Sequence, residues 1–63
     1  SMGKIHYYTR MRIAKDGYME NEPWFYEEDE SGERIIDEPV YFERINEKTG
    51  QVERVKNSNI PRY

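Results

Sequence analysis

The chain has 63 residues and a mass of 7.7 kDa, which limits it to one small domain of marginal stability. Charged residues make up 37% of the sequence, hydrophobic residues 35%, and the net charge is -3. The absence of cysteine excludes disulfide bonds, thiolate metal ligands and cysteine catalysis, and no apolar run is long enough for a membrane-spanning helix.

An aromatic content of 14% favours a folded chain over a disordered one. Ser1 directly before Met2 is typical of a cloning scar, so we expect the natural product to begin at Met2. We expect one small β domain over residues 1–63, with a polar tail over 57–63 that is ordered only if Ile60 and Tyr63 dock.

The first element is a strand over residues 4–14, because apolar and polar side chains alternate there with a period of two. Residues 15–17 supply a turn in which Gly17 can adopt a positive φ, and a second strand follows over 18–29. Setting Ala14 opposite Tyr18 creates three opposite-charge pairs and two aromatic pairs: Arg12–Glu20, Arg10–Glu22, Lys4–Glu28, Tyr8–Trp24 and Tyr7–Phe25.

Pro23 has no N–H to donate, so we expect a bulge or an edge position there. The next turn lies at 30–32, where a three-residue loop sets Glu28 opposite Arg34 and Tyr26 opposite Ile36. A two-residue loop of Ser31 and Gly32 is the alternative, but it sets two glutamates against each other.

A third strand is predicted over 33–46 and a fourth over 51–57, joined by a four-residue turn at 47–50. This turn pairs Ile45 with Val52, Arg44 with Glu53, Glu43 with Arg54 and Phe42 with Val55. No segment has the apolar spacing of a helix, so the sequence predicts an all-β, four-stranded antiparallel meander.

A single sheet without helices has nothing of its own to pack against, and the third strand carries apolar groups on both faces. The sheet could curl into a small barrel, or it could be stacked on or extended by a second copy. We expect a homodimer, because one core of this size barely offsets the entropy lost on folding. The expected dimer interface contains Tyr41, Phe42 and Ile45.

Charge is distributed unevenly along the chain. Residues 20–38 contain nine acidic residues and one arginine, a net charge of -8, whereas the segments on either side are net basic. Acidic residues near the second turn could steer the chain towards a basic surface. They could also simply solvate an edge and deter aggregation, or bind a cation.

The sequence predicts no enzyme. His6 is the one histidine, on an alternating strand, and Ser31 and Thr49 lie in predicted turns, so no nucleophile and base are brought together. The acidic turn lacks the spacing of a calcium loop, a lone imidazole cannot form a zinc site, and the glycines are too scattered to cradle phosphate. We therefore expect no catalytic residues, no metal and no cofactor.

Nucleic-acid binding is an alternative. One predicted face carries two arginines between aromatic rings that could stack unpaired bases: Tyr8, Arg10, Arg12 and Trp24. Glu20 and Glu22 are expected to neutralise these arginines, and a pI near 5.1 is unusual for a nucleic-acid binder.

A small, acidic, cysteine-free chain of strands resembles, in size and composition, the host-takeover and anti-defence proteins encoded by bacteriophages. The resemblance implies an inhibitor that binds a larger bacterial protein in the host cytoplasm, without a membrane. We expect the contacts at two aromatic anchors and the acidic hairpin: Trp24, Tyr26, Glu27, Glu28, Asp29, Glu30 and Glu33. A structural or assembly subunit is a further alternative.

Overall fold

The computed structural model describes residues 3–61, which form antiparallel strands and no helix. The strands are β1 (Lys4–Ile13), β2 (Met19–Glu28), β3 (Arg34–Pro39), β4 (Tyr41–Ile45) and β5 (Val52–Lys56). The first three form one sheet in the order β1-β2-β3, and β4 pairs with β5 in a second sheet. The all-β, antiparallel prediction is confirmed, whereas the four-stranded single meander is wrong.

The first hairpin has the predicted register throughout. Lys4 faces Glu28, Tyr8 faces Trp24, and the Ala14 N–H donates to the Tyr18 carbonyl at 2.8 Å. The pairing of β1 and β2 continues through Pro23 without a shift, so the bulge, one of the two predicted alternatives, does not form. The pairing of β2 with β3 ends at Trp24, which leaves Pro23 beyond the end of that ladder, in line with the predicted edge position. The β1–β2 ladder tolerates Pro23 because the carbonyl of this residue points away from β1, where it accepts the Val40 N–H.

The second hairpin confirms the three-residue loop, since the Asp29 N–H donates to the Glu33 carbonyl and Glu28 faces Arg34. The predicted pairing of Tyr26 with Ile36 is wrong, because Tyr26 faces Asp37 instead. The register shifts between Glu27 and Glu28 at a bulge. The extra residue is accommodated on β3, next to the turn.

The predicted strand 33–46 is divided at Val40, so that it contributes to two sheets. The N–H of Val40 donates to Pro23 of the first sheet, and its carbonyl accepts the N–H of Asn57, which follows β5. Val40 therefore joins the sheets by its backbone, and its side chain is buried at the corner. Beyond it, β4 and β5 have all four predicted pairs, including Phe42 with Val55.

The C-terminal segment returns to the first sheet. Asn57 and Asn59 donate side-chain N–H groups to the Glu38 carboxylate at 3.0 Å each. Because Glu38 faces Phe25 across the strands, these bonds hold the segment at the level of Phe25. Ile60 is half-buried, whereas Tyr63, the other residue on which the order of the tail was predicted to depend, lies outside the described residues.

The core is very small. Among residues 3–61, the buried hydrophobic side chains are those of Phe25 and Val40, and Phe25 alone has no exposure to solvent. The chain is flat, with extents of 42 × 29 × 14 Å. No helix within these residues is long and apolar enough to cross a membrane.

Candidate functional site

The face of the first sheet that carries the even-numbered residues of β1 and β2 is lined with rings, and we call it the aromatic face: His6, Tyr8, Trp24 and Tyr26. The strand register places them side by side, since His6 pairs with Tyr26 and Tyr8 pairs with Trp24. His6 stacks on Tyr26 with ring centroids 4.7 Å apart, and Tyr8 meets Tyr26 edge-on at 5.7 Å. The result is a continuous cluster across two strands.

Two arginines cover rings of the aromatic face. The guanidinium of Arg10 lies 4.0 Å from the centre of the Trp24 ring, and that of Arg34 lies 3.8 Å from the centre of the Tyr26 ring. These are cation–π distances, so the arginines hold the rings in place and limit access to their faces. Arg34 is held in turn by Asp37, at 3.4 Å.

The polar atoms of two of these rings, Tyr8 and Trp24, donate hydrogen bonds to acidic side chains. The Tyr8 hydroxyl donates to Asp37 Oδ1 at 2.6 Å, and this hydrogen bond, with a smaller effect of burial, raises the pKa of Tyr8. The Trp24 indole N–H donates to Glu22 Oε1 at 2.7 Å. Two of the four rings of the aromatic face, Tyr8 and Trp24, therefore have their polar ends already bound.

In this sheet, charged residues that lie opposite each other in the strand register do not always form salt bridges. Of the three predicted charge pairs, only Arg12–Glu20 forms a salt bridge within residues 3–61, at 2.7 Å. Glu22 contacts Trp24 and Arg12 rather than its cross-strand partner Arg10. Diagonal neighbours compete with direct ones for a carboxylate, so pairs that the sequence places opposite each other need not touch.

Glu28 likewise turns towards His6 rather than Lys4. The His6 Nε2 atom is shielded from solvent and lies 2.8 Å from Glu28 Oε1, but the approach is not aligned as a hydrogen bond. The contact is therefore electrostatic, and it is attractive when the imidazole is protonated. Glu28 is the last residue of β2, so this contact lies at the end of the aromatic face that adjoins the turn at residues 29–33.

The acidic turn, residues 29–33, is organised by Asp29. Its Oδ1 accepts the Ser31 N–H, the Ser31 hydroxyl and the Glu33 N–H at 2.7 to 3.0 Å. The Ser31 hydroxyl above all, then backbone N–H groups of Glu33, Ser31 and Gly32, lower the pKa of Asp29. Gly32 completes the loop with a φ of 86°, a backbone conformation that residues other than glycine rarely adopt.

We expect the Asp29→Asn variant to be less stable than the original chain at neutral pH, and we expect the difference to be smaller in acid. The amide retains the Oδ1 acceptor but lacks the charge that the turn stabilises. Because the folded-state pKa of Asp29 is lowered, its contribution is present above about pH 4, the ordinary pKa of Asp, and is lost as pH falls through the folded-state pKa. Urea titrations at pH 7 and pH 3 measure the difference, and an equal difference at both values would contradict this assignment.

The predicted partner-binding residues do not form one patch. Trp24, Tyr26 and Glu28 share the aromatic face, whereas Glu27 lies on the other side of the sheet, opposite Ile5. Asp29 is committed to the turn. Glu30 and Glu33 are exposed at the turn, and within residues 3–61 neither carboxylate forms a salt bridge.

A groove of about 830 Å³, which the sequence pattern does not predict, separates the end of the first hairpin from β4. Tyr41 and Phe42, from the expected dimer interface, line this groove, whereas Ile45 does not. Arg54 lies over the Tyr41 ring at 5.0 Å. The groove exists because the chain turns at Val40, directly after Pro39, a residue that disfavours the continuation of a strand.

The described residues contain no cluster of three or more His, Asp or Glu side chains that could hold a metal ion. What the site offers is a rigid acidic turn beside a face of partly covered rings, which is suited to contacting another macromolecule. Comparisons of the chain with protein-family models, with curated proteins and with solved structures find no match.

Proposed function

We propose that this chain is a small non-enzymatic binding protein, encoded by a bacteriophage, that inhibits a larger bacterial protein in the host cytoplasm. The observation that carries the proposal is the pair of exposed carboxylates, Glu30 and Glu33, on a turn fixed by Asp29. Because the backbone of the turn is already fixed, binding there loses little backbone entropy, so more of the electrostatic energy is available for association.

The surroundings support a basic partner. Residues 20–38 carry a net charge of -8, which would steer a positively charged surface towards the acidic turn. Trp24 and Tyr26 lie on the adjoining aromatic face, half-buried and held by neighbours, and side chains of these two types often dominate binding energy at interfaces. Preorganised rings beside a charged turn would bind a basic surface that has an apolar centre.

The test is affinity capture from a bacterial lysate, followed by purification of the captured protein and titration calorimetry. We expect the Glu30→Lys/Glu33→Lys variant to lose binding to that protein by at least about tenfold, because two attractive contacts become repulsive. Glu47→Lys, an exposed reversal in the β4–β5 turn, is the control and should bind normally. Equal affinity of all three chains would remove the acidic turn from the site.

A homodimer is the second part of the proposal. A compact protein of this mass exposes about 4,300 Å², whereas this chain exposes 5384 Å². The excess of about 1,000 Å² is close to the roughly 800 Å² that one partner buries in a standard interface. Exposed apolar side chains such as Ile13 and Ile45, at 70% and 66%, indicate where surface remains to be covered.

Single-stranded nucleic acid is an alternative ligand, favoured by the arginines interleaved with rings on the aromatic face. The arginines over Trp24 and Tyr26 obstruct stacking of bases, and Arg12 is paired with Glu20. Salt-dependent binding of an oligonucleotide, lost in an Arg10→Ala variant, would favour this reading. An assembly subunit would instead form large complexes in light scattering.

A further inference from the structure

The outer edge of β1 is a regular ten-residue strand edge with neither proline nor bulge. The hydrogen-bond pattern of the first hairpin determines which residues of β1 point their N–H and C=O groups towards this edge. Because Ala14 and Tyr18 are hydrogen-bonded, the even-numbered residues of β1 point their N–H and C=O groups towards β2. Thr9 faces Pro23, whose carbonyl points away from β1 towards Val40. The odd-numbered residues, from Ile5 to Ile13, therefore direct theirs outward.

We propose that two copies of the chain pair through this edge, β1 to antiparallel β1, about a twofold axis at Thr9. The two three-stranded sheets then form one continuous six-stranded sheet. This inference rests on the proposed homodimer, and it places the interface at β1 instead of at Tyr41, Phe42 and Ile45 of the other sheet, where the sequence predicts it. Edge pairing satisfies outward backbone groups that otherwise rely on water, and an exposed regular edge is a template for such pairing.

The side chains select the position of the axis. With the axis at Thr9, Ile5 of one copy faces Ile13 of the other, and Tyr7 faces Met11. These pairs lie on the face opposite the aromatic face, where Tyr7 and Met11 are 62% and 60% exposed in a single chain. Each such pair adds apolar contact across the new junction.

On the aromatic face, the same axis brings Arg10 of one copy opposite Tyr8 of the other. No lysine faces an arginine in this register. Moving the axis to Tyr8 would set Lys4 against Arg12, and moving it to Arg10 would set two Arg10 side chains against each other. Both alternatives retain the hydrogen-bonding pattern but oppose like charges, which is destabilising. Charge thus favours Thr9 among the registers that the backbone allows.

A cysteine scan tests this register, because the chain has no cysteine of its own. At the axis, the two Thr9 Cα atoms would lie about 5.5 Å apart, within the range of a disulfide. The Thr9→Cys variant should therefore form a covalent dimer under mild oxidation. Met11→Cys should not, since its two copies would be about 13 Å apart along the strand. A mixture of Tyr7→Cys and Met11→Cys chains should form the mixed disulfide preferentially.

Proline substitution tests the pairing at the β1 edge without a covalent crosslink. Thr9→Pro removes an outward N–H and leaves the β1–β2 hydrogen bonds intact, as Pro23 already does on the facing strand. We expect Thr9→Pro to sediment as a monomer. Val52→Pro, at the first residue of β5 in the other sheet, is the control and should remain dimeric. Circular dichroism reports whether each variant is folded.

The outcomes separate the two proposals. A dimer that persists in Thr9→Pro and gives no Thr9→Cys crosslink would overturn the β1 interface while leaving the homodimer in place. An original chain that sediments as a monomer at all concentrations would overturn both. If Thr9→Pro does not fold, the cysteine scan alone decides, since Thr9→Cys changes only an exposed side chain.

Discussion

Replacing Phe25 with alanine is expected to unfold most of the chain at room temperature. Phe25 is the one fully buried side chain among the described residues, and it lies on the central strand of the larger sheet. Loss of a buried phenylalanine costs about 3–5 kcal/mol, and a domain of this size has a total stability of only about 3–5 kcal/mol. Urea denaturation followed by circular dichroism measures the loss.

Phe42→Ala is the matched control for this prediction, because Phe42 is also in a strand but 43% exposed. We expect it to reduce the free energy of unfolding much less, since less apolar surface returns to water. Equal unfolding midpoints for Phe25→Ala and Phe42→Ala would show that the core is not where the structure has it.

Replacing Asn57 with alanine should have the next largest effect, about 2–3 kcal/mol. Its side-chain amide donates to Glu38 Oε1 at 3.0 Å and to the Pro39 carbonyl at 2.9 Å, and its Oδ1 accepts the Asn59 N–H. Alanine would leave a partly buried carbonyl without this donor and would release the C-terminal segment from the sheet. The thermal unfolding midpoint is the measurement.

Alanine variants of the two residues that follow Asn57 serve as controls for this prediction. Ser58→Ala changes an exposed side chain and should leave the midpoint unchanged. Asn59→Ala removes one hydrogen bond to the same Glu38 carboxylate and should have an intermediate effect. An unfolding midpoint for Asn57→Ala equal to that for Ser58→Ala would show that this contact does not stabilise the fold.

Short-range signals in the sequence predict the hairpins well. Each turn contains a glycine with positive φ: Gly17, Gly32 and Gly50. Around each turn, charge and apolar pairing distinguish one register from its neighbours, and the registers of the first and third hairpins are confirmed in full. Register is predictable there because a slip of one residue moves every side chain to the wrong face.

The break at Val40 and the bulge beside Glu28 are not predictable in the same way. Pro39, inside the predicted strand, is a local signal against a continuous strand. The passage of the chain into a second sheet at Val40, however, depends on hydrogen bonds to Pro23 and Asn57, far away in sequence. The bulge likewise reflects how β3 fits the twist of β2. Both are tertiary effects that local spacing does not encode.

The candidate site was predictable as a region but not in its contacts. The acidic composition of 27–33 and the aromatic pairs were evident from the sequence, yet Asp29 turned out to serve the loop and Glu28 to face His6. Partner choice among several nearby charges depends on side-chain geometry, which the alternation of residues leaves open. Glu30 and Glu33 are the acidic residues left for a partner on the turn.

One chain is too thin to complete its own fold. A thickness of 14 Å and two buried apolar side chains among residues 3–61 leave most of the large hydrophobic residues facing solvent. A second copy paired along β1 would cover apolar side chains beside that edge, including Tyr7, Met11 and Ile13, and a host protein would cover the faces of the sheet. Each of these contacts would lower the free energy of the folded state.

Sedimentation equilibrium over a wide range of protein concentration shows whether one chain is sufficient for the fold. We expect a species of twice the 7.7 kDa chain mass that dissociates on dilution, with the unfolding midpoint falling as the dimer is lost. A stable species of 7.7 kDa whose unfolding midpoint is independent of concentration would show that the single chain is complete by itself.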